Sequence, residues 1–591
     1  RRRVSGTATE GFVSTAPSPS HAVSVSQPAT HRFASLFQFA DRAVTPVAQI
    51  VTRLVFGQAF ALAGWGKLQD LPKVTSFFES LGIPFANVQA PMVAIFEFVG
   101  GLCLLLGLGT RFAAAILTCT MIVALVTADL ESIGKGFRLE AGFDAAAPVP
   151  YLVYARAIRT WRGALALVAV LLAAFPLQLL SIVTPPIPPP VVLGFGAPAA
   201  LGAAAALGVT EWVRRRAGEW FAVPTYAAVV AVLDWSGYAH TELGAWATTS
   251  TSQVDALAVV QLASVAGLAG VGFVLAWVSA TAAYALAAPP PVRRAPIWAT
   301  VIGVVGVLQL GAWRLDQAPA ARTARVAAVT TDLGLDRGLP DAAALAANTD
   351  ALFARTRLAA ARGARLVVWN EAATLVEPAD EPALLARGRA EARALAVDLV
   401  LAYGVIHARA PLWIDNRLAL VTSEGELAGT YRKHHPVPGE PSMRGTEPIA
   451  VFPRPYATLG VAICYDYDFP ALARAHAALG AELVAVPASD WRGIDPVHTL
   501  MARVRAIEGG FSVVRAVRWA ASAAFDSRGR VRGWLAAADG HDHVMVAEVP
   551  VGRESTVYAA IGDAPVALAG GWLAVAAALA LRRRGGAGRA G

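Results

Sequence analysis

From residue 46 to 315 the chain is a succession of long Ala/Val/Leu runs with short polar breaks, whereas from 322 to 562 short apolar stretches alternate with charged ones. A bilayer core needs about 20 apolar residues per helix. The first pattern predicts spans near 46–64, 88–108, 111–129, 163–183, 191–211, 220–238, 262–287, 297–315 and 564–581, with a shorter tenth near 147–160. The second predicts strands over 325–330, 365–371, 398–405, 416–423, 458–466, 482–489, 511–517 and 543–550. Helices are expected over 341–362, 380–396, 469–479 and 497–509. Such alternation predicts one α/β domain. The expected organisation is a tail (1–45), a membrane module (46–160), a second set of membrane helices (161–318), the α/β domain (322–562), and a last helix with a basic tail (563–591).

Composition agrees: 56% hydrophobic residues and a mean hydropathy of +0.51 place much of the chain in a membrane. The net charge of +8 invites a nucleic-acid reading. Its arginines, however, cluster at Arg156/Arg159/Arg162, Arg214–Arg216, Arg293/Arg294 and Arg582–Arg584, each beside an apolar run, which marks cytoplasmic membrane flanks and no nucleic-acid partner. With those clusters inside, the span at 297–315 delivers 322–562 to the outer face, and the last helix returns to the cytoplasm. Arg111 inside puts 130–146 outside, so one more crossing is needed before Arg156. Residues 1–45 are rich in Ser, Thr, Pro and Ala and start without Met, which reads as a disordered tail on an incomplete reading frame.

Only four of the 50 basic residues are lysines: Lys67, Lys73, Lys135 and Lys433. A lysine inside the α/β domain is therefore unexpected. Of the three cysteines, Cys103 and Cys119 lie in apolar runs and Cys464 stands alone in the α/β domain, so no disulfide framework or zinc spacing exists. His434 and His435, adjacent and with no third ligand at a fitting spacing, do not make a metal site.

Three chemistry-bearing residues close strand-like runs: Glu371 in RLVVWNE, Lys433 in GTYRKHHPVPGE and Cys464 in GVAICYDYDFP. Alone, Cys464 reads either as a small buried residue or as a nucleophile. A thiol attacking a carbonyl needs a base, which Glu371 would supply. The oxyanion that forms needs fixed donors, which Lys433 and the Tyr465 backbone N–H would supply.

This trio, in this order and context, resembles the carbon-nitrogen hydrolase (nitrilase) superfamily, and HTLMARVRAIEGGFSVVRAV resembles the helix and strand that follow its nucleophile. With many helices before the domain and one after, residues 163–581 are similar to the apolipoprotein N-acyltransferase family. VVQLASVAGLAGVGFVLAWVSATAAYAL resembles its helix before the last inward turn. The segment from VTRLVFGQAFALAGWGKLQ through VGGLCLLLGLGTRFAAAILTCTMIVAL resembles the DoxX family of small membrane proteins.

The resemblance implies a multi-spanning α-helical membrane protein carrying an extracytoplasmic α-β-β-α nitrilase-like domain, on the outer side of a bacterial cytoplasmic membrane. It implies Glu371, Lys433 and Cys464 as catalytic residues, Glu440 as a glutamate assisting the lysine, and Tyr465–Asp466 as the Tyr–acid pair after the nucleophile. Partners would be a phospholipid acyl donor and a diacylated lipoprotein acceptor; no cofactor or metal is implied. Asn370 stands where the family has Pro, and Asp466 is one methylene shorter than the usual acid. Three readings follow: an N-acyltransferase working through a Cys464 thioester, a membrane-anchored amidase or nitrilase using water, and an inactive scaffold that binds lipid or partners.

Overall fold

Val, Ala and Leu dominate the central strands of the α/β domain, as expected for parallel strands covered on both faces. In the computed structural model, the first sheet orders β13 (Val544–Pro550), β1 (Thr323–Val329), β2 (Leu366–Trp369), β4 (Asp398–Arg409), β5 (Leu412–Val421) and β6 (Leu427–Arg432), with β3 (Thr374–Val376) also on β4. The second orders β12 (Val531–Leu535), β11 (Ser522–Phe525), β10 (Ser512–Arg518), β9 (Leu483–Ser489), β8 (Thr458–Val461) and β7 (Val451–Pro453). Each has a parallel centre, β1–β2–β4 and β8–β9–β10, flanked by antiparallel edges. The structure describes residues 53–586 except 55, 81–82, 84, 111, 115, 118–119, 121–147, 180–190, 247, 288–293, 332, 334–337 and 537–542. The expected tail 1–45 and most of the expected span 111–129 lie outside the described residues.

The sheets face each other across one core, in which Val326, Val368 and Leu401 of the first share a cluster with Leu459, Ala485 and Val514 of the second. Helices Ala342–Ala361 and Glu381–Leu395 cover the first sheet; Pro470–Ala478 and Val497–Gly509 cover the second. This is an α-β-β-α arrangement. Asp341 starts the first of these helices by accepting a hydrogen bond from the Ala344 amide at 2.8 Å, the role expected of an N-cap acid.

Among the described residues, five helices are long and apolar enough to cross a bilayer: Ala86–Leu106, Leu193–Ala217, Ala263–Ala287, Ala295–Asp316 and Ala564–Arg582. Of the nine or ten expected spans, those near 46–64, 111–129 and 163–183 lie partly outside the described residues. Pro148–Ala157 has ten residues, about 15 Å of helix, half a bilayer core. The apolar helix Trp161–Leu177 is also short. The stretch expected to span 220–238 is helical over Glu219–His240 and includes Asp234, which accepts a hydrogen bond from the Thr249 amide at 3.0 Å. In the N-terminal part, helical residues 56–69 lie against Ala86–Leu106 so closely that a Cβ on Gly64 would stand 2.2 Å from the Phe98 nitrogen. Lys67 spans the same contact, its ammonium 2.5 Å from both Glu97 carboxylate oxygens.

The α/β domain is not tethered loosely to these helices. Tyr238, Leu268, Val271 and Leu275 share a buried cluster with Leu500, Met501 and Val504 of the second sheet's helix layer. The break at Gly267 (φ 63°) lets the helix Ala263–Ala287 pack beneath the Tyr558 ring, which a Cβ there would meet at 2.4 Å. From the end of Glu219–His240, residues 241–246 run onto the face of the domain that bears Cys464. The Ala245 amide donates to the Asp468 carbonyl at 2.8 Å and the Tyr465 hydroxyl to the Glu242 carbonyl at 2.9 Å.

Candidate active site

The parallel centres point their carboxyl ends to one place, where open α/β sheets commonly bind ligands. Glu371 stands two residues beyond β2, Lys433 directly follows β6, Cys464 stands three beyond β8, and Asp490 follows β9. Asn370 explains why the chain turns there without a proline. Its side-chain oxygen accepts from the Thr331 amide at 2.9 Å, its backbone amide donates to the Val329 carbonyl at 3.0 Å, and its side-chain nitrogen donates to the Glu371 carbonyl at 3.0 Å. The ends of β1 and β2 are thereby tied.

Glu371, Lys433 and Glu440 form one buried ion cluster. Lys433 is 1% exposed, and its ammonium donates to Glu371 Oε1 at 2.8 Å and to Glu440 Oε2 at 2.6 Å. Asn416 of β5 bridges both acids, at 2.7 Å to Glu371 Oε1 and 3.1 Å to Glu440 Oε1, and the Val437 amide and Ser442 hydroxyl complete the Glu440 carboxylate. Burial opposes the lysine's charge, but the Glu371 and Glu440 carboxylates prevail and hold its pKa well above the usual value. Glu440 is correspondingly lowered: burial pushes it up, and Lys433 more than reverses that.

Cys464 is 3% exposed and opens a 3-10 turn, Cys464–Asp468, in the left-handed backbone region at φ 48°. The strand expected over 458–466 therefore ends early, at Val461. Asp466 is the cause. Its Oδ2 accepts from the Ile463 amide at 3.0 Å and the Tyr431 hydroxyl at 2.8 Å, and its Oδ1 from the His434 and His435 amides at 3.0 and 2.7 Å. One fully buried carboxylate thus closes the turn that bears Cys464 and fastens the Lys433 loop to it, while burial pushes its pKa up to about 6 despite those donors. The Tyr465 amide at the start of the turn donates to no acceptor among the described residues. Burial, and next the Glu371 charge, push the Cys464 thiol well above its usual pKa, with Lys433 pulling the other way.

A second ion cluster lies behind the sulfur. Asp490 holds Arg515 through two bonds of 2.8 and 3.0 Å, and accepts from His498 Nδ1 at 2.8 Å; His498 Nε2 faces Asp468 at 3.0 Å. The Cys464 sulfur lies 3.9 Å from Asp490 Oδ1. Burial works against the His498 charge, but Asp468 and Asp490 raise its pKa to about 9. Cys464, Asp490 and His498 are close enough to share a cation, yet Arg515 already occupies two Asp490 oxygens and both His498 nitrogens face carboxylates. The donor set fits an internal ion network. The ring nitrogens of His434 meet the Arg432 and Glu447 carbonyls, and the His435 ring stacks on Phe469 at 3.7 Å, so the two imidazoles do not converge.

Sequence reasoning placed Glu371, Lys433, Glu440, Tyr465, Asp466 and Cys464, and the structure brings all six together. It missed Asn416, Asp490, His498 and Arg515. The one available signal was position, since Asp490 follows a strand run as Glu371 does.

The carbon-nitrogen hydrolase family matches residues 305–558 and the DoxX family residues 48–130. The α/β domain is a carbon-nitrogen hydrolase domain. The chain resembles apolipoprotein N-acyltransferases: that of Geobacter metallireducens is 25% identical over 370 residues, 57% of this chain and 70% of the relative. That of Caulobacter vibrioides is 29% identical over 395 residues, 59% and 71% of the two chains. A solved amidase from Nesterenkonia sp. is 22% identical with a TM-score of 0.33, covering 42% of this chain and 96% of its own. The chain carries a carbon-nitrogen hydrolase domain and a DoxX module, together with helices long and apolar enough to cross a membrane.

Proposed function

We propose that the protein moves an acyl chain from a phospholipid to the terminal amine of a membrane-anchored lipoprotein, through a thioester on Cys464. The observation that carries this reading is the segment 241–246. It leads from the helix Glu219–His240, packed against the candidate span Ala263–Ala287, onto the turn that bears Cys464, through Ala245 N–H to the Asp468 carbonyl and Tyr465 O–H to the Glu242 carbonyl. Such a junction serves an enzyme whose substrates lie in the bilayer. The likeness to apolipoprotein N-acyltransferases supports it.

The high thiol pKa means that the resting sulfur holds its proton, so proton removal accompanies attack. Glu371 takes that proton as the sulfur bonds to the donor's ester carbonyl carbon. The oxyanion is met by Lys433 and the Tyr465 amide. Collapse expels the lysophospholipid alkoxide, which leaves with the proton from Glu371, and an acyl thioester remains. The acceptor amine then attacks it and gives a proton to Glu371; as the C–S bond breaks, Glu371 passes that proton to the departing sulfur, releasing the Cys464 thiol and the amide product.

The arginine clusters support an outer location for the domain. Arg214–Arg216 end one helix and Arg294 begins another at the ends away from the α/β domain, and Arg156 pairs with Glu219 at that level. Cationic ends of this kind mark the cytoplasmic side.

Membranes bearing the full chain, incubated with acyl-labelled phospholipid, should carry label on Cys464 that a diacylated lipopeptide amine discharges as amide. Discharge by water alone would replace this reading with a membrane-anchored hydrolase. Absence of label in the wild type would leave a binding scaffold, and label persisting in Cys464→Ala would exclude Cys464 as acyl carrier.

A further inference from the structure

Arg518 closes β10 and is 5% exposed, yet among the described residues it has no carboxylate partner within ion-pair distance. Its Nε donates to the Ser489 hydroxyl at 3.0 Å and its Nη1 to the Leu333 carbonyl at 2.7 Å, both neutral acceptors. Nη2 has no hydrogen-bond partner among the described residues. The other fully buried arginines differ: Arg515 is held by Asp490 and Arg505 lies 2.9 Å from Glu508. A buried guanidinium without an anion is costly, and a fold that holds one on neutral oxygens leaves its charge available.

Its place gives that charge a use. Ser489, which anchors Arg518, also directs its carbonyl to the Cys464 sulfur at 3.9 Å, and the Asp490 amide donates to the Arg518 carbonyl at 3.1 Å. The guanidinium lies over the Trp519 ring at 4.7 Å, and Trp519 is held at φ 67°, a region that bulky residues rarely adopt. Burial lowers the Arg518 pKa to about 10, with Glu371 and Cys464 as the charges opposing that fall, so this cation belongs to the same electrostatic site.

We propose that Arg518, fixed by Ser489, Leu333 and Trp519, is an anion subsite beside Cys464 that binds an oxyanion carried by the acyl donor, a phosphodiester or a carboxylate near the scissile carbonyl. This rests on Cys464 being the acylated residue. A planar fork with one edge anchored and one nitrogen open suits such a group better than a lysine would.

The test measures acylation of Cys464 in the full chain by three donors: phosphatidylglycerol in vesicles, succinamate, and neutral p-nitrophenyl butyrate, with Cys464→Ala as background. In Arg518→Gln, the ratio of anionic-donor to neutral-donor acylation should fall roughly ten- to hundredfold, the loss of one charge-assisted bond, with Arg518→Lys between it and wild type. In wild type, added dimethyl phosphate or succinate should compete with the neutral ester, a readout that needs no variant to fold. Acylation by phosphatidylglycerol alone identifies the anion as a phosphodiester. Acylation by succinamate and not by the lipid keeps the subsite and removes the lipid-donor reading. An unchanged ratio in Arg518→Gln, no competition in wild type, or acylation by the neutral ester only overturns the subsite.

Discussion

Two buried ion clusters flank Cys464, and they are built differently. Behind the sulfur, Arg515 spends both terminal nitrogens on Asp490, and His498 is bound at both ring nitrogens. On the other side, Lys433 donates to Glu371 and Glu440, which leaves the third ammonium proton unengaged among the described residues. The first cluster is closed and the second is open. A closed cluster holds shape, whereas an open one can receive a charge that appears during reaction. The difference also accounts for a lysine in a chain so biased to arginine, since a guanidinium in that space would be satisfied by the two carboxylates bidentately.

The largest effect should come from the open cluster's base. Glu371→Gln is expected to lower the rate of Cys464 acylation by roughly 10²- to 10⁴-fold with the folded state retained, as read by single-turnover mass spectrometry of the thioester. Lys433→Arg should follow at roughly 10²- to 10³-fold, the loss of one oxyanion donor. A Lys433→Arg enzyme acylating at the wild-type rate would abolish the distinction between open and closed clusters. The closed cluster should answer in stability instead. Arg515→Met strands Asp490 and should cost about 3–5 kcal/mol, measured by denaturant unfolding in detergent, while the acylation rate of the molecules that remain folded changes far less.

The smallest effect is a pH dependence. The folded-state pKa of His498 is raised, so its contribution is fully present below about 6.5 and is lost as pH rises through about 9. The loss amounts to at most about 3 kcal/mol by the size of that shift. Wild type should therefore lose thermal stability over this window, and His498→Gln should show a flatter profile. A flat wild-type profile across this window would mean that His498 is neutral in the folded protein.

The open cluster was legible in the sequence because contrast made it so. Lys433 is the sole lysine of the α/β domain, and Glu371 and Cys464 each follow an apolar run. The closed cluster was not legible, since Arg515 and Arg518 are two arginines among many inside an apolar strand, and nothing in their spacing tells a paired guanidinium from an unpaired one. Asn416 was hidden likewise in the middle of β5. The parallel strands were readable from their Val/Ala/Leu runs, but the end of β8 was not. There a side chain, Asp466, captures the Ile463 amide and turns the backbone before the apolar pattern stops. The short tenth crossing expected near 147–160 is a ten-residue helix, Pro148–Ala157, whose ends hydropathy alone does not register.

Gly244, at φ 56°, brings the segment that follows Glu219–His240 so close to the turn at Cys464 that a Cβ there would stand 2.8 Å from the Asp468 Cβ. The consequence is metric. With the turn referenced to the end of Glu219–His240, Cys464 keeps a set distance from the apolar helices, and under the acyl transfer proposed above that distance would be a criterion of selection: carbonyls and amines displayed at the right depth would be within reach, and chemically identical groups carried higher or lower would not.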